Sequence, residues 1–319
     1  MGHLRRSLAL AAALAKKADI TLVTRDGSNL KPWAAGFRIY VLSPGSMSSE
    51  LKQLQVLLHR QAAQLLIVDH YEYRSKELRQ LRREFDGTIL TFDDIPRERD
   101  YPVDGIINHN IYGPQLDYPS RKGQALFRGA RYTLISSDVA HARRSKTIFD
   151  RPRLFISVGG TASPAALRPF LAGFRQFQKR FPKASARIAG GLRLKRKTKG
   201  VLPGMKWVRP DTVAPAMGRS NLALSASGVT TYELAYLGIP ALLFVAADNQ
   251  KRIARAMSRA GCGRHGGRLQ DAKALQIARS LSNLWNNARK LKQMSQCGRR
   301  LIDGKGPERL AREISKRYL

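Results

Sequence analysis

Short apolar runs that stop dead at a polar or small residue set the terms for this chain. Leu65-Leu66-Ile67-Val68 is wholly apolar and ends at Asp69; Leu154-Phe155-Ile156-Ser157-Val158 runs into Gly159-Gly160; Ala241–Val245 is a third such run. Four or five residues without polar alternation cannot present one face to water, so these read as strands buried on both faces of a parallel sheet. Stretches with helical spacing separate them. Helices are expected near 4–17, 48–64, 75–85, 164–180, 213–219, 249–259, 272–287, 288–297 and 307–318. Further strands are expected at 20–24, 38–42, 88–92, 105–108, 132–135, 186–188, 205–208 and 221–224. Alternation of this kind predicts an open α/β fold of Rossmann-like, doubly wound type.

The pattern restarts around Asp150-Arg151-Pro152-Arg153. Two domains of similar size, 1–150 and 151–319, are therefore expected, and a chain of 319 residues has room for both. No apolar run approaches the ~18 residues needed to span a bilayer. Leu8–Ala15 follows Arg5 and Arg6 and has the look of a signal peptide, but it continues into Lys16-Lys17 and a strand, so it reads as a buried helix. Cys262 and Cys297 have no companion ligand spacing. They suggest neither a disulfide framework nor a zinc site, which points to a reducing cytoplasm.

Charge is uneven. Residues 1–150 hold 23 Lys and Arg against 16 Asp and Glu, whereas residues 151–319 hold 34 against 7. Such a second half should attract polyanions, among them nucleotide sugars, anionic lipid headgroups at a membrane surface, or RNA. A solvated basic surface explains the same excess, and only Arg193–Lys199 forms a dense run, so no specific nucleic acid is expected.

Ligands of open α/β sheets collect at the carboxyl ends of the strands. That rule selects Asp69-His70-Tyr71, Asp93-Asp94, Asn108, Gly159-Gly160-Thr161, Ser225–Thr231 and Ala247-Asp248-Asn249-Gln250. Ser225-Ala226-Ser227-Gly228-Val229-Thr230-Thr231-Tyr232-Glu233 is the richest of these. A strand enters a small-residue turn there, and a helix follows that Gly238 and Pro240 close. Small residues let backbone N–H groups approach a ligand, and a helix start favours a diphosphate. The same pattern fits an ordinary crossover capped by Ser and Thr. Asp93-Asp94 reads as a turn cap, since no metal-ligand spacing surrounds it, and neither a metal nor a cofactor is expected. His70, His109 and His141 read as structural or surface groups, and Trp207 as core.

Taken in order, these segments resemble the PseG-type UDP-sugar hydrolases, which remove UDP from a 2,4-diacetamido-2,4,6-trideoxy sugar. That family is in turn similar to the lipid-linked N-acetylglucosaminyltransferase of peptidoglycan synthesis, with its two-domain GT-B fold. The resemblance runs through Gly2-His3-Leu4-Arg5-Arg6, Val68-Asp69-His70-Tyr71, Phe92-Asp93-Asp94, Gly105–Asn108, Ile156–Gly160, Ser225–Pro240, Asn249-Gln250 and Ile302–Gly306, and so covers nearly the whole chain. It implies two Rossmann-like domains facing a central cleft. Two departures stand out: the strand preceding the Gly-His pair in the family has no counterpart before Met1-Gly2-His3, and Thr161-Ala162-Ser163 stands where the family has an aspartate.

By this resemblance His3 is the catalytic base for the attacking water, a role that suits an imidazole titrating near neutral pH. Tyr71 lies near the sugar, and Asn249 and Gln250 hold its hydroxyl or acetamido groups. Ser227, Gly228, Val229 and Thr230 cradle the diphosphate, Glu233 takes the ribose, and the backbone near Trp207-Val208 meets the uracil. Arg6 is a candidate partner for phosphate, and Gly159-Gly160 permits close backbone approach. The expected activity is hydrolysis of a UDP-sugar at the anomeric carbon. A glycosyltransferase using the same donor, its basic half resting against an anionic membrane, is the alternative, followed by a non-catalytic relative that binds RNA or acidic polymers.

Overall fold

The computed structural model describes residues 2–27, 34, 36–159, 163–190 and 203–319. Gly160, Thr161, Ala162 and the basic run 193–199 lie outside the described residues.

One compact unit comprises His3–Leu134 with Lys305–Leu319, and the other Ile135–Gly304. In the first, α1 (Gly2–Leu14) turns Ala9, Leu10, Ala11 and Leu14 inward, which makes the Leu8–Ala15 run a core helix. It is followed by β1 (Thr21–Thr24), β2 (Arg38–Val41), α2 (Met47–Arg60), β3 (Leu65–Val68), α3 (Ser75–Glu84), β4 (Thr88–Phe92), β5 (Gly105–Asn108) and β6 (Ala125–Arg128). β3-β4-β5-β6 form one parallel sheet in that order, and β1-β2 a separate parallel pair.

The second unit comprises α4 (Ser137–His141), β7 (Arg153–Ser157), α5 (Pro164–Arg180), β8 (Ser185–Ala189), β9 (Met205–Val208), α6 (Val213–Gly218), β10 (Leu222–Ala226), α7 (Thr230–Leu237), β11 (Ala241–Val245), α8 (Lys251–Arg259), β12 (Arg264–Arg268), α9 (Ala274–Trp285) and α10 (Ala288–Leu301). Its sheet is parallel throughout, in the order β12-β11-β10-β7-β8-β9. β7 is first in sequence and central in space, so strand order reverses between β7 and β10. Ligands of doubly wound sheets bind at such a switch point. Phe170, Phe174 and Phe177 of α5 pack with Ile277 and Leu281 of α9 over Leu154, Ile156, Leu222 and Leu224.

The chain ends in α11 (Gly306–Tyr318), which belongs to the first unit. The compact units are therefore not the contiguous halves 1–150 and 151–319. The cause is hydrophobic: Leu310, Ala311 and Ile314 are buried with Leu10, Leu14, Leu90, Phe92, Ile107 and Phe127. Each such Leu or Ile is worth about 2 kcal/mol. Tyr132 Oη also donates to Glu313 (2.7 Å), and Tyr318 Oη to the Asp104 carbonyl (3.0 Å).

Three expectations are corrected. Tyr132–Ile135 is not a strand: the segment opens with a 3-10 turn at Ala130–Tyr132, and β6 takes the place beside β5. Its apolar content reflects Tyr132 and Leu134 filling the core rather than strand pairing. β12 was not among the expected strands, because Arg264-His265-Gly266-Gly267-Arg268 holds no apolar side chain to mark one. It is an edge strand held on one side, and a Cβ at Gly266 would lie 2.5 Å from the Phe244 ring, so glycine is what lets the strand approach. Cys262 and Cys297 are joined by a disulfide, with Cα atoms 5.3 Å apart. The turn after α8 meets α10 there, a contact that a separation of 35 residues does not reveal. An inference of a reducing compartment from free thiols thereby loses its premise.

Candidate functional site

In the first unit, side chains build the site. His3 and Arg6 lie one turn apart on α1 and face the same way. Asp69 follows β3 and Asp94 follows β4, where the apolar strands end. Arg6 is 3 % exposed and grips Asp69 with two parallel bonds, Nε to Oδ2 (2.8 Å) and Nη2 to Oδ1 (2.5 Å). Its Nη1 donates to both oxygens of Asp94 (2.9 and 3.1 Å) and lies 3.3 Å from His109 Nε2. The guanidinium also stacks 4.6 Å over Phe92. Ser7 Oγ completes Asp69 (2.8 Å), while Asn110 Nδ2 (2.7 Å) and Tyr71 Oη (2.7 Å) complete Asp94.

His3 caps this cluster, its side chain 40 % exposed. Its Nδ1 lies 2.6 Å from Asp69 Oδ1 and 3.0 Å from Arg6 Nη2; the carboxylate is the nearer and the acceptor of the two, and the tautomer that fits it carries its proton on Nδ1. Nε2 is left with a lone pair and has no hydrogen-bond partner among the described residues. The Tyr71 ring packs edge-on against the imidazole at 4.5 Å and carries Arg97 4.1 Å above its own face. A carboxylate that orients an imidazole and stabilises its protonated form is the arrangement of a general base.

Electrostatics keep the cluster ionised. Burial acts to raise the pKa of Asp69, but the Arg6 charge and the hydrogen bonds from Arg6 and His3 outweigh it and hold Asp69 well below the usual carboxylate range. Asp94 is pulled down to about 2, burial being overcome by Arg6, then by His109 and Tyr71. Burial, reinforced by the charge of Arg6, pushes His109 down to about 4. That imidazole is neutral at pH 7. Burial and Asp94 raise Tyr71, which keeps its proton.

In the second unit, the backbone builds the site. β10 ends in Ser225-Ala226, and Ser227 ties the turn to β11 through its N–H and Oγ, both 2.9 Å from the Phe244 carbonyl. α7 begins at Thr230, and Gly238, at φ 73°, ends it in the left-handed conformation that glycine tolerates best. Among the described residues the N–H groups of Val229 and Thr230 have no acceptor, as expected of the first amides of a helix. A Cβ added at Gly228 would meet nothing within 4 Å, so the approach to these amides is open. Thr231, 2 % exposed, has a buried Oγ1 without a partner. Gly159, at the neighbouring end of β7, has φ 91° and is equally open.

Glu233 is on the first turn of α7 and is 4 % exposed. Asn249 is exposed in a 3-10 turn before α8, and Gln250 Oε1 accepts from the Ala246 N–H (2.9 Å), pinning the exit of β11. Trp207 packs against the core from β9, as read from sequence.

The first unit thus gathers His3, Arg6 and Tyr71, and the second gathers Gly159, Ser227, Gly228, Val229 and Thr230. Arg6 is no surface ligand: its donors are committed within the cluster, so it serves as the framework that holds Asp69. The expected capping role divides between neighbours. Asp93 Oδ1 accepts from the Ile95 N–H (3.1 Å) as a turn cap, whereas Asp94 belongs to the Arg6 cluster. Asp69 and Asp94 were selected only as strand ends, without a ligand or catalytic role, and His109 and Asn110 were given no place in the site. Position at a strand end was the available signal for the first two. Among the described residues no group of three or more His, Cys, Asp or Glu is placed to hold a metal ion. None of their helices is long and apolar enough to cross a membrane.

Comparison with solved structures gives the class of fold: GT-B, built from two Rossmann-like α/β units. The chain superposes on the UDP-bound co-structure of Staphylococcus aureus MnaA with a TM-score of 0.68 at 12 % identity, covering 99 % of this chain and 93 % of that one. Against the spinosyn rhamnosyltransferase SpnG the TM-score is 0.70 at 16 % identity, covering 98 % and 97 %. Against Acinetobacter baumannii MurG it is 0.65 at 14 % identity, covering 99 % and 96 %. In sequence, the chain is 22 % identical over 333 residues to the spore coat polysaccharide biosynthesis protein SpsG of Bacillus subtilis (strain 168), spanning all of this chain and 95 % of that protein. No protein-family model matches.

Proposed function

We propose that this protein acts on a UDP-sugar and transfers the sugar to a hydroxyl group. The anomeric carbon–oxygen bond to the diphosphate breaks, its electron pair leaving with UDP. The acceptor oxygen bonds to the anomeric carbon, and its proton passes to His3 Nε2. Asp69 holds the imidazole in the accepting tautomer and stabilises the imidazolium that forms. The amides of Val229 and Thr230, with the small turn at Ser227-Gly228 and the α7 dipole, take the diphosphate. Glu233 takes the ribose, Asn249 and Gln250 the sugar substituents, Tyr71 the sugar beside His3, and Gly159 allows close approach. The observation that carries this reading is the 2.6 Å contact of His3 with Asp69, which leaves Nε2 as a half-exposed base.

Transfer is favoured over hydrolysis by the company the fold keeps. Similar structures include a rhamnosyltransferase and the glycosyltransferase of kitacinnamycin, and the sequence relative is a polysaccharide biosynthesis protein. Fold alone does not assign chemistry. The ordered motifs shared with PseG-type hydrolases support a second reading in which water is the acceptor and a UDP-linked 2,4-diacetamido-2,4,6-trideoxyhexose the substrate. One experiment separates them: free UDP is followed from a panel of UDP-N-acetylated sugars, with and without a polysaccharide or lipid-carrier hydroxyl acceptor. Release that requires the acceptor supports transfer, and equal release without it supports hydrolysis. No release from any donor rejects both.

A further inference from the structure

The second unit carries a cationic recess at the end of its sheet opposite the Ser225–Thr230 loop. Arg153 is the first residue of β7, and Arg219 lies three residues before β10. Both therefore sit at the amino ends of their strands, while the loop sits at the carboxyl ends. Five residues of strand put roughly 16 Å between the two ends. Arg144, Lys146 and Arg299 line the same recess as Arg153 and Arg219. Arg187, on β8, shares the sheet face of Arg153, because Arg153 pairs with Ser185 and Phe155 with Arg187.

Two of these cations are fixed. Arg299 donates Nη1 to the Arg144 carbonyl (2.7 Å) and Nη2 to the Leu237 carbonyl (2.8 Å), while its Nε is buried without a partner. Arg153 pairs with Asp150 (2.6 Å) and donates Nε to the Arg219 carbonyl (3.2 Å). Among the described residues, the side chains of Arg144, Lys146, Arg187 and Arg219 meet neither a carboxylate nor a hydrogen-bond acceptor. Five cations thus line one recess, with Arg187 on the same sheet face as Arg153, and Asp150 is their one carboxylate partner among the described residues. Burial first, and then the charges of Arg219, Arg153 and Arg144, lower the pKa of Arg187, which marks the mutual repulsion. Guanidinium forks match phosphate oxygens in pairs, and a multiply charged anion relieves several like-charge contacts at once.

We propose that this recess binds a phosphate group bearing two or more negative charges, either a diphosphate or a phosphomonoester. The site is separate from the Ser225–Thr230 loop and does not depend on the proposed reaction. Its ligand is either a soluble phosphate compound or the phosphomonoester headgroup of a lipid at a membrane surface.

The test is calorimetric titration of the full chain with inorganic pyrophosphate. It is run in a Gly228→Val background, so that the loop does not contribute. One equivalent is expected to bind, and Arg144→Ser with Arg219→Ser in the same background should weaken it at least about tenfold. Circular dichroism and melting verify the fold, and the double variant should melt no lower than its parent because repulsion has been removed. Co-sedimentation with phosphatidic acid vesicles then identifies the source. Capture that the double variant loses and pyrophosphate competes away assigns a lipid headgroup; pyrophosphate binding without vesicle capture assigns a soluble ligand. Equal pyrophosphate affinity in the double variant and its parent, or no binding by either, overturns the proposal.

Discussion

The two units meet their electrostatic demands in opposite ways. In the first, arginines are matched with carboxylates: Arg6 with Asp69 and Asp94, Arg25 with Glu50 and Glu72, Arg79 and Arg121 with Asp100, Arg74 with Glu98. Its site is a closed ionic cluster in which each side chain holds the next. In the second unit the site is a turn of small residues and two helix-start amides, while at the opposite end of its sheet Arg144, Lys146, Arg187 and Arg219 have no carboxylate partner among the described residues. A side-chain cluster fixes geometry and fails when one member is lost. A backbone loop tolerates side-chain loss and fails when something fills it.

The comparison breaks most readily at Arg6. Arg6→Leu leaves Asp69 and Asp94 buried without their counter-charge, and removal of one partner from such a cluster costs about 3–5 kcal/mol. Denaturant unfolding should report it, and Arg6→Lys should not restore it, since an ammonium cannot supply the bidentate grip. A loss below about 1 kcal/mol would mean that the cluster is not closed.

His109 gives the next largest effect. Its folded pKa of about 4 lies below the free value of about 6.5, so between these the unfolded chain binds a proton that the native chain does not. Stability therefore falls as pH drops from 6.5 toward 4, by about 3 kcal/mol in total from this residue. Asp69 and Asp94, with depressed values, lose their contributions only at lower pH. His109→Gln should flatten the slope in that window; an unchanged slope would place its origin elsewhere.

The backbone site should respond to bulk rather than charge. Gly228→Val meets open space, so the melting temperature should stay within a few degrees, while UDP affinity falls about tenfold, or about 1.4 kcal/mol. Thr231→Val is the subtlest probe. It removes an unpartnered buried hydroxyl and should stabilise the ligand-free chain by about 1 kcal/mol. Saturating UDP should shrink that gain if Oγ1 meets a phosphate oxygen.

Much of the fold was legible because short, wholly apolar strands announce parallel sheets, and their last residues announce where ligands gather. Asp69, Asp94 and Ser225–Thr230 all lie at strand ends, as that rule requires. What sequence could not give was partnership. Positions 6, 69, 94 and 109 converge only through the order of β3, β4 and β5, so Arg6 read as a candidate partner for phosphate and His109 as a structural or surface group. β12 was hidden because its glycines serve close packing on Phe244. The Cys262–Cys297 link and the return of α11 to the first unit are likewise tertiary events without local spacing to mark them.

The most direct test is calorimetric titration of UDP into wild type, His3→Ala and Gly228→Val, paired with donor turnover. His3→Ala should bind UDP as wild type does while losing turnover by about 100-fold or more, and Gly228→Val should lose affinity. If His3→Ala turns over donor at the wild-type rate, or if Gly228→Val binds UDP undiminished, the assigned roles of base and diphosphate loop are wrong.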